Sequence, residues 1–241
     1  AGGRWGGGGG GEGGVGGGVE GGGGGAGGGG GGGGGVGGGR RWGRGRVCLR
    51  GRQDLCRALG LPAVDTGGAY TECLRVPAIS AVGLPDGLDY SLAALASCPI
   101  ATSVRALYGE GSLQPGETVL VNGASGGLGA HQIQLARALG ARVIAVTGSA
   151  DKRDLLHQLG AHDVVVASGG YSAEVWKLTG KRGVDVAMEN LGHTLEDTLR
   201  SMALGGRVVV LCHVQTGSVA LHPRPLFGCR LQVQWPNSAE R

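Results

Sequence analysis

The second half of the chain alternates short apolar runs with amphipathic stretches, and this alternation limits the folds open to it. Runs rich in valine, isoleucine and leucine predict buried strands, and the stretches between them predict helices. Strands buried on both faces and separated by helices are typical of a parallel sheet covered on both sides. The predicted strands are 118–122, 142–147, 164–166, 184–189, 207–212 and 231–235, and the predicted helices are 127–139, 151–159, 173–179 and 194–203. We therefore expect a doubly wound α/β domain.

Helical periodicity also extends over residues 89–107, ahead of the first predicted strand. Pro99 lies in the middle of this stretch, and proline removes a helical hydrogen bond and clashes with the preceding turn. We therefore expect Pro99 to break this segment into two helices.

Glycine is concentrated at the start of the chain, where residues 1–40 hold 30 of its 57 glycines. Such runs have no side chains to bury, and glycine loses the most backbone entropy when it becomes ordered. Collagen is excluded because these glycines show no three-residue period with proline. The composition predicts a disordered low-complexity tail over residues 1–46.

The charge distribution excludes some classes of function. Residues 1–46 carry +3 of the net charge of +4, so the remaining body is nearly neutral and gives no electrostatic reason to expect nucleic-acid binding. The arginine–glycine stretch 40–46 leaves a nucleic-acid or scaffold protein as a minor alternative. The apolar runs are too short to cross a bilayer, and the N-terminus lacks a signal-peptide pattern. We expect a cytoplasmic protein with reduced cysteines.

Residues 122–129, Asn-Gly-Ala-Ser-Gly-Gly-Leu-Gly, join the first predicted strand to the first predicted helix of the alternating series. Glycine permits a sharp turn there and lets backbone N–H groups approach a pyrophosphate, while the helix N-terminus adds a positive dipole. The strand–turn–helix context predicts a dinucleotide site, with a purely structural turn as the alternative. The predicted binding residues of this loop are Gly123, Ser125, Gly126, Gly127, Leu128 and Gly129.

The end of the second predicted strand bears on the choice of dinucleotide. An acidic residue there would accept hydrogen bonds from the ribose 2′-hydroxyl of NAD, but the strand ends in Thr147. Ser149 and Lys152 follow, and the lysine could pair with the 2′-phosphate of NADP. We therefore expect these three residues to bind cofactor and favour NADP over NAD, while Asp151 leaves NAD open.

Short motifs on both sides of the glycine loop form a broader pattern. They are residues 67–72, 76–78, 84–88, 102–107 and 113–121 ahead of the loop, and 183–186 and 205–209 behind it. Together they resemble the zinc-containing alcohol dehydrogenases of the medium-chain dehydrogenase/reductase superfamily. A short-chain dehydrogenase is disfavoured because no tyrosine is followed by a lysine four residues later.

The resemblance implies a fold and an activity. The fold is a Rossmann cofactor domain over 113–241, preceded by a remnant of a GroES-like β domain and a linking helix over 47–112. The activity is hydride transfer between NAD(P) and a small alcohol or carbonyl substrate, and a homo-oligomer is a further hypothesis. A non-enzymatic dinucleotide-binding module and a zinc-independent, quinone-oxidoreductase-like reductase are the alternatives.

The resemblance also assigns roles to individual residues. It places Thr102 near the nicotinamide and Asn190, Gly192 and Cys212 along the cofactor crevice. Cys98 would be a catalytic-zinc ligand, and Cys48 and Cys56 would be two of four structural-zinc ligands. Because the other ligands have no counterpart in this sequence, we expect zinc-dependent activity to be impaired.

Overall fold

The computed structural model describes residues 2–7, 17–20, 32–36, 46–50, 73–77, 81–211 and 231–234. The chain divides into two compact units. One comprises Ala1–Cys98 with Asn237–Arg241, and the other is Pro99–Pro236. Within the described residues, no helix is both long and apolar enough to cross a bilayer.

The first unit contains an antiparallel sheet of five strands in the order β4-β1-β2-β3-β5. The strands are β1 Gly2–Gly7, β2 Gly17–Glu20, β3 Gly32–Val36, β4 Cys73–Pro77 and β5 Ala81–Gly83. Three of these strands lie in residues 1–46, for which the composition predicts disorder. Sheet pairing needs only backbone N–H and C=O groups, which glycine supplies as any residue does.

Two short helices complete the described part of this unit, α1 Arg46–Leu49 and α2 Tyr90–Leu95. Asp89 caps α2, since its Oδ1 accepts hydrogen bonds from the N–H groups of Ser91 at 2.8 Å and Leu92 at 3.2 Å. Aspartate is a favoured residue at this position because it satisfies backbone donors that have no partner inside the helix.

The second unit contains a six-stranded parallel sheet in the order β11-β10-β9-β6-β7-β8. Its strands are β6 Thr118–Asn122, β7 Arg142–Thr147, β8 Asp163–Val166, β9 Val184–Glu189, β10 Met202–Val210 and β11 Gln232–Gln234. Its α-helices are α3 Ala101–Val104, α4 Gly127–Ala138, α5 Arg153–Gln158, α6 Ser172–Leu178 and α7 Leu195–Arg200. The predicted parallel α/β sheet is confirmed.

Alternate residues of each central strand enter two separate hydrophobic clusters. On one face Val119 and Val121 of β6 pack with Ile133 of α4 and Leu156 of α5. On the other face Leu120 belongs to a cluster that includes residues of α6 and α7. Burial on both faces explains why the strands read as continuous apolar runs, and it confirms the doubly wound arrangement.

The structure refines one expectation about local structure and contradicts another. Pro99 lies between two α-helices, α2 and α3, as expected, but a π-helical turn, Ala96–Ile100, joins them. A wider turn relieves the clash that proline causes in an α-helix. The helix expected over 194–203 ends at Arg200, since Met202 begins β10 and pairs with Val184 of β9. Pairing with a distant strand overrides the local helical pattern there.

Candidate functional site: the glycine loop at the centre of the parallel sheet

The order of strands in the second unit reverses direction at β6. From β6 the chain runs to β7 and β8 on one side, and β9 and β10 lie on the other side. At such a reversal the connections leave the two neighbouring strands in opposite directions, and a crevice opens outside their carboxyl ends. The residues at this position are the glycine loop after β6 and the segment after β9.

Close packing explains two of the loop glycines. Gly123 has φ +66°, and a Cβ there would lie 3.1 Å from the side chain of Leu191. A Cβ at Gly129 would lie 2.6 Å from the carbonyl oxygen of Gly123 and 2.7 Å from Cα of Ala124. A side chain at residue 129 would therefore separate the first turn of α4 from the loop.

The other two glycines of the loop are exposed. A Cβ at Gly126 would meet only the carbonyl oxygen of Gly123, at 3.3 Å, and one at Gly127 would meet nothing within 4 Å. Gly126 precedes α4, a helix of 12 residues, and no side chain caps this end. The backbone N–H groups of an uncapped first turn are suited to an anionic ligand. Ser125 is exposed beside them, and Leu128 is partly buried.

Thr147 connects the loop to the end of β7. Its hydroxyl donates a hydrogen bond to Ser125 Oγ at 3.1 Å and accepts one from the N–H of Ser149 at 3.2 Å. Its side chain is buried, while Ser149 and Lys152 are exposed. Lys152 Nζ lies 3.4 Å from Asp151 Oδ2. The structure thus places Thr147 and Ser149 next to the loop, with the Thr147 hydroxyl already occupied.

A buried carboxylate, that of Glu189, lies at the end of β9 across from the loop. Glu189 is 0% exposed. Asn122 Nδ2 donates to both of its oxygens, at 3.2 and 3.0 Å. The N–H groups of Leu191 at 3.0 Å and Gly192 at 2.9 Å donate to Oε1. This carboxylate therefore holds the ends of β6 and β9 together.

Two hydroxyl groups complete the surroundings of this carboxylate. Thr194 Oγ1 donates to Oε1 at 2.9 Å, and Thr198 Oγ1 donates to Oε2. The hydroxyl of Tyr171 is 2.5 Å from Thr198 Oγ1. Burial of the Tyr171 phenol and then the negative charge of Glu189 raise the pKa of Tyr171 far above its ordinary value. Tyr171 is thus a neutral hydrogen-bonding group.

A pair of buried amides ties α4 to the same strand ends. Asn190 Nδ2 donates to the carbonyl oxygen of Asn122 at 2.7 Å and to Gln132 Oε1 at 2.8 Å. Gln132 Nε2 returns a hydrogen bond to Asn190 Oδ1 at 3.1 Å. The side chain of Asn190 therefore forms hydrogen bonds inside the protein. Its expected place along the cofactor crevice stays a prediction.

The residues predicted to bind zinc are not brought together in the part of the chain that the structure describes. Cys48 is buried in α1, Cys98 is exposed, and neither forms a disulfide. Cys56 and Cys212 lie outside the described residues. No three His, Cys, Asp or Glu side chains among those described are placed to hold a metal ion. The described donors do not fit a zinc site, and we assign no chemical step to zinc.

Thr102 lies in α3 and is partly buried. This helix packs against α4, the helix that begins at the glycine loop. The resemblance placed Thr102 near the nicotinamide, and that role stays a prediction.

Sequence reasoning missed most of the polar groups around the loop. Thr194 is partly buried, and the others are buried: Asn122, Gln132, Tyr171, Glu189 and Thr198. One signal was available. Glu189 ends an apolar run, and Gln132 lies one turn after Gly129 on the buried face of α4. A polar residue at an apolar position needs partners, but the sequence does not say which.

Together the sheet order and the loop define a Rossmann-type α/β domain. Comparison with known proteins supports this class. The crystal structure of AibC is 36% identical, with a TM-score of 0.82 over 85% of this chain and 58% of that chain. A structure titled NAD-dependent alcohol dehydrogenase is 28% identical, with a TM-score of 0.77 over 85% of this chain and 60% of that chain.

Sequence comparison identifies the family. The family model for zinc-binding dehydrogenases matches residues 127–235. A quinone oxidoreductase of Rattus norvegicus is 36% identical over 160 residues, which are 65% of this chain and 48% of that protein. An acryloyl-coenzyme A reductase of Sulfurisphaera tokodaii is 32% identical over 178 residues, 73% of this chain and 52% of that protein. These matches support membership of the chain in the medium-chain dehydrogenase/reductase superfamily.

This membership confirms the resemblance that the sequence motifs carried, and with it the Rossmann and GroES-like architecture. The family implies a nicotinamide dinucleotide, NAD or NADP, as cofactor. The chain spans about half the length of the curated relatives it matches.

Proposed function

We propose that this chain binds NADP(H) at the glycine loop and acts as an oxidoreductase on a small alcohol or carbonyl compound. The observation that carries the proposal is the placement of residues 123–129 at the carboxyl end of β6, where the strand order reverses. The uncapped first turn of α4, the exposure of Gly126 and the open space at Gly127 support a bound pyrophosphate there. The superfamily membership supports the oxidoreductase activity.

In this proposal the protein binds and orients the cofactor, and the nicotinamide supplies the hydride acceptor or donor. The N–H groups of the first turn of α4 bind the pyrophosphate, and Ser125 contributes a hydroxyl beside them. The segment 190–192 forms the opposite side of the crevice. Thr102 is proposed to contact the nicotinamide, and Cys212 is proposed to line the cofactor crevice.

Lys152 is proposed to select NADP. Its side chain is 48% exposed and its partner Asp151 is 72% exposed, so this ion pair contributes little and the lysine can exchange Asp151 for a 2′-phosphate. Thr147, at the end of β7, carries no charge that would repel such a phosphate. We expect Lys152→Ala to weaken NADPH binding about fivefold and to leave NADH binding unchanged.

Titration of both dinucleotides by calorimetry tests this preference. Lys177→Ala is the matched control. Lys177 is an exposed lysine in the last turn of α6, and its replacement removes the same charge at a different site. Equal affinities of the parent chain for NADPH and NADH would contradict the choice of NADP. A loss of NADPH affinity in Lys177→Ala equal to that in Lys152→Ala would show that only overall charge matters.

A second candidate function is a zinc-independent reduction of quinones. The observation that favours it is the 36% identity to a protein named quinone oxidoreductase. Oxidation of NADPH by a quinone, unchanged by a chelator, would support this candidate. NADP reduction by a panel of alcohols would support the alcohol dehydrogenase-like function instead. NADPH binding without turnover of either substrate class would favour a non-enzymatic dinucleotide-binding module.

A further inference from the structure

The environment of Glu189 is unusual for a carboxylate. The side chain is 0% exposed. Within the described residues, the groups that donate hydrogen bonds to it are all neutral: the side-chain amide of Asn122, two backbone N–H groups and two threonine hydroxyls. A buried carboxylate is costly unless its oxygens are well hydrogen-bonded. Here several donors converge on the two carboxylate oxygens. The positions of these donors are therefore fixed by their hydrogen bonds to one carboxylate.

The donors come from both sides of the crevice. Asn122 is the last residue of β6 and precedes the glycine loop, and its Oδ1 accepts a hydrogen bond from the N–H of Gly123 at 2.8 Å. Leu191 and Gly192 belong to the segment that follows β9. The two segments also pack closely, since the side chains of Leu191 and Asn190 fill the space that a Cβ at Gly123 would need. The relative position of the loop and the segment 190–192 therefore depends on Glu189.

We propose that Glu189 is the positioning residue of the dinucleotide crevice: its carboxylate sets the glycine loop and the segment 190–192 at the separation that the cofactor requires. This inference rests on the proposed dinucleotide binding. A carboxylate that only stabilised the fold would affect unfolding without a specific effect on the affinity for dinucleotide.

Glu189→Gln is the first test. Glutamine keeps one oxygen for the N–H groups of Leu191 and Gly192 but turns an NH₂ group toward Asn122 Nδ2, so that two donors face each other. We expect the NADPH affinity to fall at least about tenfold, because an unsatisfied buried donor displaces the strand ends. The double variant Asn122→Asp/Glu189→Gln exchanges amide and carboxylate and restores a donor–acceptor pair. We expect its affinity to return to within about threefold of the parent chain.

Asp185→Asn is the matched control. Asp185 also joins β6 to β9, since its Oδ2 accepts a hydrogen bond from the N–H of Thr118 at 2.8 Å, but it does so at the amino ends of the strands. It also pairs with Arg182. The same carboxyl-to-amide change is expected to lower the urea midpoint while the NADPH affinity stays within about twofold.

The outcomes separate this inference from the proposed function. A parent chain that binds neither NADPH nor NADH contradicts the proposed function. If the parent binds, then a folded Glu189→Gln variant of unchanged affinity overturns the positioning role, and so does an equal loss in Asp185→Asn. Glu189→Asp keeps the carboxylate but shortens the side chain by one methylene. This variant replaces Glu189→Gln as the test if Glu189→Gln does not fold. Weakened binding is expected for Glu189→Asp, and parent-like affinity would overturn the proposal.

Discussion

The glycines of the loop have different structural roles, although the sequence motif does not distinguish between them. A Cβ at Gly129 would lie 2.6 and 2.7 Å from backbone atoms of Gly123 and Ala124, whereas a Cβ at Gly126 would meet one carbonyl oxygen at 3.3 Å. We expect Gly129→Ala to lower the free energy of unfolding by about 1–3 kcal/mol, because backbone must move to admit the methyl group. Gly126→Val is expected to stay folded and to lose dinucleotide binding, because its side chain would occupy the pyrophosphate path.

Urea unfolding and NADPH titration of both variants check these two roles. Gly127→Ala is the control for stability, since its methyl group would meet nothing within 4 Å and alanine is the better helix former. Its free energy of unfolding should match or exceed that of the parent chain. A folded Gly126→Val variant with parent-like affinity would place the cofactor elsewhere.

Among the elements, α4 is joined to the segment after β9 by a buried polar contact in addition to its apolar face. Gln132 is 0% exposed and shares two hydrogen bonds with Asn190. We expect Gln132→Leu to lower the free energy of unfolding by about 1–3 kcal/mol, because it leaves polar groups of Asn190 buried without a partner. Chemical denaturation with a linear extrapolation measures this cost.

Gln134→Leu provides the comparison two residues further along the same helix. Gln134 is exposed, and within the described residues its side chain bonds only to the carbonyl oxygen of Ala130. Its replacement should change the free energy of unfolding by no more than about 0.5 kcal/mol. Equal effects of the two substitutions would contradict a stabilising role for the buried amide pair.

For the whole molecule, the described residues do not supply the zinc ligands that the resemblance implies. A structural zinc takes four protein ligands and a catalytic zinc takes three. Cys48 and Cys98 are the described members of the predicted ligand set, and the described residues contain no cluster of three potential ligands. Elemental analysis of the purified chain should therefore find well under one zinc ion per chain, and a chelator should leave NADPH affinity unchanged.

Cys48→Ser gives this prediction its control. If zinc is absent, the substitution should alter neither metal content nor dinucleotide affinity. Stoichiometric zinc that is lost in Cys48→Ser would show that this cysteine and ligands outside the described residues form a metal site.

Local signals determined much of the α/β domain. The bounds predicted for three strands, 118–122, 142–147 and 184–189, are those of β6, β7 and β9. The glycine loop was placed correctly between β6 and α4. These features follow from side-chain periodicity and from turn residues, which act over a few positions and can be read along the chain.

Contacts between distant residues decided the rest. The start of β10 at Met202 and the surroundings of Glu189 depend on partners far along the chain, and Asn122 and Glu189 are 67 positions apart. The sequence thus determined which residues form strands, helices and the loop. Only the tertiary structure decided which buried polar groups meet at the crevice, because a hydrogen bond is specified by where two chain segments come together and not by the pattern of either one.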